Sequence, residues 1–558
     1  MSTGSRKPAA SRRPLPRLLQ RTALGACALV LILMRSHAFD LPLETDEANY
    51  AYVGTRLAAG DRMYVDVWDH QPPGVFVLFA ATAWAFGDAP IVFRWLAVAF
   101  SLATMVMIWA ILDRRGTPWA ALAAALLFAL ASSDPGTAGE GCNREIFMAT
   151  LIVGAWWAVL RRPIVRRRDV LIAGVMLSLA SVLKTVVAVH WIALAAWLVI
   201  DALLLRRASG GSLAAPSARA EARGSEREPE PATGVSAVPG VLWLAAGPAL
   251  LWGSVFAYFA LTDRLDAFVD AVFRFNLGYS DSDTGRLSRF AAFFQPERHP
   301  FIFDSALPIW IAGAVALLPL AAGAMRQASR RFALAVVLLL AASYVAVCLP
   351  AQFWPHYYYL MIPALVLAIG AAAHAVMEQR GEGRARATLS GAAVALILAL
   401  LFVTQWREYL SRDGLDITIK RYNTRDYWAQ AHGRNVESVT DPADTIFVFG
   451  NDAGIYYYAK RRCASRFTMA TGLRSRYPDA AARQAILLDE LRNNRPRLIL
   501  ETGEAPFPGW IEFLQERYYP AGADFHDKTG GIIMPVWCRK DAPIRQIDWN
   551  WDRSEAVK

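Results

Sequence analysis

The stretch 40–74, DLPLETDEANYAYVGTRLAAGDRMYVDVWDHQPPG, decides how the chain is to be read. It lies between a first long apolar segment and a remainder that is mostly apolar. It carries Asp40, Glu44, Asp46, Glu47, Asp61, Asp66 and Asp69 against only Arg56 and Arg62. Crowded carboxylates raise one another's pKa towards the working range of a general base. The closing HQPPG is stiffened by its prolines and would fix the stretch against neighbouring structure. An acidic loop held at a membrane surface suits chemistry on a lipid-borne substrate.

The surroundings are those of a membrane. Of 558 residues 55% are hydrophobic and 19% charged, where a soluble chain carries about 25% charged residues. Apolar runs long enough to cross a bilayer recur along the chain. The net charge of +10 does not point to nucleic acid, because the arginines bunch between apolar runs, at 6–17, 161–168, 326–331 and 380–386. That is the cytoplasmic positive charge of a topology signal. Five cysteines show no metal-ligand spacing. The basic start, the apolar run 22–34 and Ser36-His37-Ala38 imitate a signal peptide. Arg35 sits badly before such a cleavage site, so the first helix is expected to be retained.

With residues 1–17 cytoplasmic, about eleven crossings put every arginine-rich turn on one side. The expected helices cover about 18–38, 90–112, 117–132, 146–160, 170–187, 188–205, 241–261, 304–325, 332–350, 358–377 and 387–404, with 75–86 too short to span. Loops 39–74 and 262–303 then lie outside, and the Gly/Ala/Pro/Ser-rich segment 206–240 reads as a disordered cytoplasmic linker. Residues 406–558 are polar enough to be an exported domain. The strand DTIFVFG (444–450), the helix at 481–496 and the strand RLILETG (497–503) predict an α/β arrangement. Cys463 and Cys538 both fall in this part, where a disulfide is chemically allowed.

Asp46-Glu47 has two readings, a helix cap (with Thr45 or Asp46 as N-cap) or reacting carboxylates. Glu140, Asn143, Arg144 and Glu145 form a second outer cluster, with capping again the alternative for Glu145. Lys184 stands in an apolar stretch, where an ionisable group is costly and marks function unless it snorkels. His190 reads as a packed histidine. Arg274 and Arg286 lie in the second outer loop. An interfacial aromatic belt accounts for the aromatics of FWPHYYY (353–359) better than for His356.

TDEANYAYVGTRLAAGDRMYVDVWDHQPPG resembles the first outer loop of GT-C membrane glycosyltransferases of the protein O-mannosyltransferase/ArnT-like group. NREIFM, Lys184, QFWPHYYYLMIPAL and DTIFVFGNDAGIYYYAKRRCASRF resemble further marks of its bacterial branch. The resemblance implies a GT-C fold and transfer of a sugar from a polyprenyl-phosphate donor to a glycan, lipid or protein acceptor of the cell envelope. The site would face the periplasmic side of a bacterial inner membrane, among membrane lipids.

By position Asp46 matches the family's catalytic aspartate and Glu47 its acidic neighbour, while Gln71 replaces a lysine usual before the two prolines. The remaining substrate- and phosphate-binding candidates are Tyr50, Asp69, His70, Gln71, Glu140, Arg144, Lys184, Arg274, Arg286, His356 and Tyr357. Phosphate is a weakly basic leaving group that needs positive charge rather than a general acid. One base and one displacement imply inversion, unlike the two-carboxylate retaining scheme. No cofactor is required. A divalent ion, if used, would bridge phosphate to Asp69 or Glu140. The competing classes are a flippase of lipid-linked sugars, which would place ionisable residues at mid-membrane, and a non-catalytic glycan-binding scaffold.

Overall fold

The computed structural model describes residues 16–208, 237–280, 288–295, 300–324, 327–377, 383–418, 425–521 and 535–542, except 163, 305, 415 and 478. Most of the expected linker, and Arg286 with it, lies outside these residues. The helices that build the site are α1 (Arg17–Ser36), α2 (Thr45–Ala58), α3 (Gly74–Phe86), α4 (Pro90–Asp113), α5 (Pro118–Ala131), α6 (Arg144–Leu160), α7 (Arg167–Ser181) and α8 (Ala188–Ala208). Further apolar helices span Ala237–Leu261, Leu307–Ala324, Gln327–Cys348, Met361–Met377 and Gly383–Gln405.

Among the described residues seven helices are long and apolar enough to cross a membrane, and three apolar helices are shorter. The span Pro355–Val376 is buried almost throughout, whereas α1, Val238–Leu261 and Thr388–Leu410 are mostly exposed. This is the pattern of one central helix ringed by helices that present apolar side chains to lipid. Helix α6 packs between α4 and α7, and α7 packs against Ala237–Leu261. At that last contact a Cβ on Gly174 would lie 2.5 Å from the Leu244 carbonyl, and one on Gly247 2.4 Å from the Gly174 backbone. Small residues are what allow two helices this close.

The stretch 40–74 is partly helical. Its helix α2 is capped by Glu44, whose side chain accepts from the Asp46 N–H while Glu47 reaches back to the Glu44 N–H. The expectation of Thr45 or Asp46 as cap is therefore corrected to Glu44. A carboxylate accepts a backbone N–H as readily as a hydroxyl does. The predicted helix over 170–187 also ends early, at Ser181. The Val182 carbonyl accepts from the Gly74 N–H at 2.9 Å, which satisfies one of the helix-end acceptors and leaves Lys184 in a turn.

Beyond the last apolar helix lies a five-stranded sheet in the order β2-β1-β3-β5-β4. Its strands are β1 (Thr445–Phe449), β2 (Arg462–Cys463), β3 (Leu498–Glu501), β4 (Tyr518–Pro520) and β5 (Val536–Arg539). β2, β1 and β3 are parallel, with Gly454–Ala459 and Ala480–Asn494 among the helices that connect them. β5 and β4 add antiparallel at one edge. Cys463 on β2 and Cys538 on β5 are buried free thiols. Two intervening strands hold them roughly 14 Å apart, beyond a disulfide's reach. The allowed bridge is not formed.

The sheet domain is seated on the stretch 40–74. The Trp68 N–H donates to the Arg466 carbonyl at 2.7 Å, and Cys463 N–H donates to the Tyr52 hydroxyl at 2.7 Å. Tyr52 stacks on Tyr456, with ring centroids 5.2 Å apart. Apolar and aromatic burial on both sides of these bonds makes the two parts one packed unit.

Candidate active site

The acidic stretch does not act as a crowd. Asp40 is exposed, Asp61 pairs with Arg56 (2.8 Å) and Arg462 (3.2 Å), and Asp66 pairs with Arg62 (2.9 Å). Glu47 is buried and fully engaged. It pairs with Arg94 of α4 at 2.9 Å and accepts from the Cys142 N–H at 2.6 Å, from Asn143 Nδ2 at 3.4 Å and from Glu44 N–H at 3.1 Å. It ties α2, α4 and the turn before α6 together, a positioning task. Glu140 is buried in that same turn.

Asp46 lies on the next face of α2. Its side chain is about 31% exposed. Oδ2 lies 3.4 Å from the Tyr50 hydroxyl, one turn along the helix, and 3.6 Å from His356 Nε2. His356 arrives from Pro355–Tyr358 at the mouth of the central helix. Neither of its ring nitrogens has a hydrogen-bond partner among the described residues.

The cations stand around this pair. Arg144, at the start of α6, is buried, with Nε 3.4 Å from Glu145 Oε1 and its guanidinium 5.6 Å from the Tyr50 ring centre. Its Nη1 has no hydrogen-bond partner among the described residues. Lys184 Nζ donates to Glu145 Oε1 at 3.0 Å and lies 3.2 Å from the centre of the Tyr357 ring. The charge of Asp46 acts on Arg144, Lys184 and His356 alike. Burial pushes the Lys184 ammonium down to about 7, with Glu145 opposing. Asp46, Tyr50, Arg144, Glu145, Lys184, His356 and Tyr357 thus form one connected group. A buried guanidinium whose Nη1 has no hydrogen-bond partner among the described residues, beside an ammonium, is a place for an anion.

Asp69, His70 and Gln71 form the floor's edge. Asp69 accepts from Asn49 Nδ2 and the Gln71 N–H, both at 2.8 Å, and burial pushes its carboxyl up to about 6. Burial, then Arg144 and Lys184, hold His70 down to about 3, so it is neutral. Its ring meets Tyr279 at 4.8 Å, and its carbonyl accepts from Asn276 Nδ2 at 2.6 Å. Gln71 Nε2 contacts His70 Nε2 at 2.7 Å. A Cβ at Gly74 would lie 2.5 Å from the Val182 carbonyl, so this glycine lets the HQPPG turn lie on the turn that presents Lys184.

One expected residue stands apart from the group. Arg274 pairs with Asp266 at 3.0 Å and is largely exposed, because its helical turn faces outwards. Among the described residues no three His, Cys, Asp or Glu side chains converge as metal ligands.

Two contributors escaped the sequence reading. Arg94 is a charge inside an apolar helix, a signal that was present in PIVFRWLAVAF. Thr468 left no signal. Its hydroxyl donates to Asn49 Oδ1 at 2.9 Å, so the sheet domain helps to hold Asp69 through Asn49.

Residues 70–214 match the family model described as dolichyl-phosphate-mannose-protein mannosyltransferase. Comparison with curated proteins gives no match. Among solved structures, ArnT from Cupriavidus metallidurans bound to undecaprenyl phosphate superposes with a TM-score of 0.57 at 15% identity, covering 94% of this chain and 98% of that one. The archaeal oligosaccharyltransferase AglB from Archaeoglobus fulgidus, in complex with an inhibitory peptide and a dolichol-phosphate, gives 0.52 at 12% identity, covering 96% and 75%. These likenesses show a shared fold. The family match spans the HQPPG turn, the start of α6 and Lys184, and the fold is the one seen in ArnT and AglB.

Proposed function

We propose that the chain is an inverting glycosyltransferase that moves a sugar from a polyprenyl phosphate to an acceptor hydroxyl, with Asp46 as general base. Asp46 takes the hydroxyl proton as the acceptor oxygen attacks the anomeric carbon. The bond from that carbon to the phosphate oxygen breaks, and the electron pair leaves with the phosphate. Arg144 and Lys184 stabilise the charge that develops there. One displacement inverts the anomeric centre.

The observation that carries this reading is the partly exposed Asp46, whose charge acts on buried Arg144 and Lys184, together with an Arg144 Nη1 that has no hydrogen-bond partner among the described residues. The polyprenyl phosphates named with ArnT and AglB support the donor class. The acceptor is a glycan, lipid or protein of the envelope, and the site opens on the periplasmic face of a bacterial inner membrane crossed about eleven times. No cofactor takes part.

The test is transfer by purified protein in detergent, from a panel of polyprenyl-phosphate sugars to envelope extract, for wild type and Asp46→Asn. Wild-type transfer that Asp46→Asn lowers by about 10²–10⁴, with equal folding and no effect of EDTA, is the expected result. Equal transfer by both removes Asp46 as base. Flipping of lipid-linked sugar without any transfer supports the transporter class instead.

A further inference from the structure

The proposed reaction leaves His356 unexplained. It is 3% exposed, in the loop-to-helix junction that starts the central helix, and both its nitrogens lack a hydrogen-bond partner among the described residues. A buried imidazole with neither nitrogen bonded is costly unless something arrives to use it. Nε2 already points at the proposed base, 3.6 Å from Asp46 Oδ2. Such contacts tighten when substrate binds.

Every charged neighbour of His356 belongs to the site. Asp46 faces it from α2, Arg144 and Glu145 from the start of α6, and Lys184 from the α7–α8 turn. Its own neighbour Tyr357 packs edge-on at 4.8 Å and covers Lys184. His356 therefore lies beside the base and within the electrostatic reach of the cations proposed to hold the phosphate.

We propose that His356 is the proton-accepting partner of Asp46, carrying the acceptor's proton from the carboxylate to the departing phosphate. The inference rests on the glycosyl-transfer reading above. In the balanced step the acceptor O–H breaks and its proton goes to Asp46. The new glycosidic C–O bond forms as the sugar–phosphate C–O bond breaks. The proton then passes from Asp46 Oδ2 to His356 Nε2 and on to a phosphate oxygen, which has gained the electron pair. Asp46 and His356 return to their starting states, with no other reactant consumed.

Two measurements test this. In detergent-solubilised protein with ¹⁵N-labelled histidine, the titration of His356 is followed in wild type and in Asp46→Asn. Coupling predicts a downward shift of the His356 midpoint when the carboxylate is removed, because an anion favours the protonated ring. An unmoved midpoint overturns the pairing whether or not transfer is observed. In the transfer assay His356→Gln is expected to lower kcat by about 10²–10³ with donor KM nearly unchanged. Added imidazole should restore part of the rate to His356→Ala, in proportion to the free base. A raised donor KM with unchanged kcat would make His356 a phosphate ligand only and overturn the relay. Coupled titration with no transfer by wild type from any donor would refute the glycosyl-transfer reading instead.

Discussion

Removing the charge of Glu47 separates its two readings. Glu47→Gln keeps the shape of the side chain but leaves Arg94, itself 2% exposed, without its counter-ion inside α4. Breaking one half of a buried ion pair costs about 3–5 kcal/mol, mostly the price of the charge left behind. The Cys142 N–H retains an amide oxygen to bond, so little is added there. Replacing Arg94 as well should return part of the loss. Glu47→Gln with Arg94→Met is expected to be at least about 1 kcal/mol more stable than the two single losses summed.

Unfolding of purified protein in mixed micelles, titrated with SDS and followed by tryptophan fluorescence, measures the cycle. Transfer assays on the folded fraction should find Glu47→Gln within about tenfold of wild type, since the carboxylate touches no reacting atom. Wild-type stability combined with abolished transfer would refute this reasoning and make Glu47 a reacting group. Strict additivity in the cycle would refute the pairing.

Two more outcomes follow from the site. Lys184 must be charged to hold the donor phosphate, and its ammonium, pushed down to about 7, loses its proton as pH rises through that value. kcat/KM, which reports the free enzyme, should therefore fall above about pH 7, while kcat stays level further up because bound phosphate keeps the proton on; a kcat/KM level from pH 6 to 9 would contradict the assignment. Gly74→Ala places a methyl 2.5 Å from the Val182 carbonyl and must part the HQPPG turn from the Lys184 turn. Donor KM should rise more than kcat falls, and an unchanged KM would show that the contact does not position Lys184.

The membrane class, the apolar helices and the α/β end domain were legible in the sequence, because each depends on residues close together along the chain. Apolar runs report burial or lipid directly, and strand and helix periods are read within a few residues. Asp46, Arg144, Lys184 and His356 could be singled out the same way, as polar groups among apolar or aromatic neighbours.

What each carboxylate does was not legible. In sequence Asp46 and Glu47 are adjacent and equivalent; one faces His356 and the other is taken by Arg94, 47 positions away. The capping shift to Glu44, the early end of α7 and the exclusion of Arg274 from the group are of the same kind. Local sequence determined which groups could ionise and roughly at what depth. Only the packing of α2 against α4, α6, the Lys184 turn and the sheet domain decided which charges were cancelled and which were left to act, because a charge's state is set by the partners that burial brings within a few ångströms.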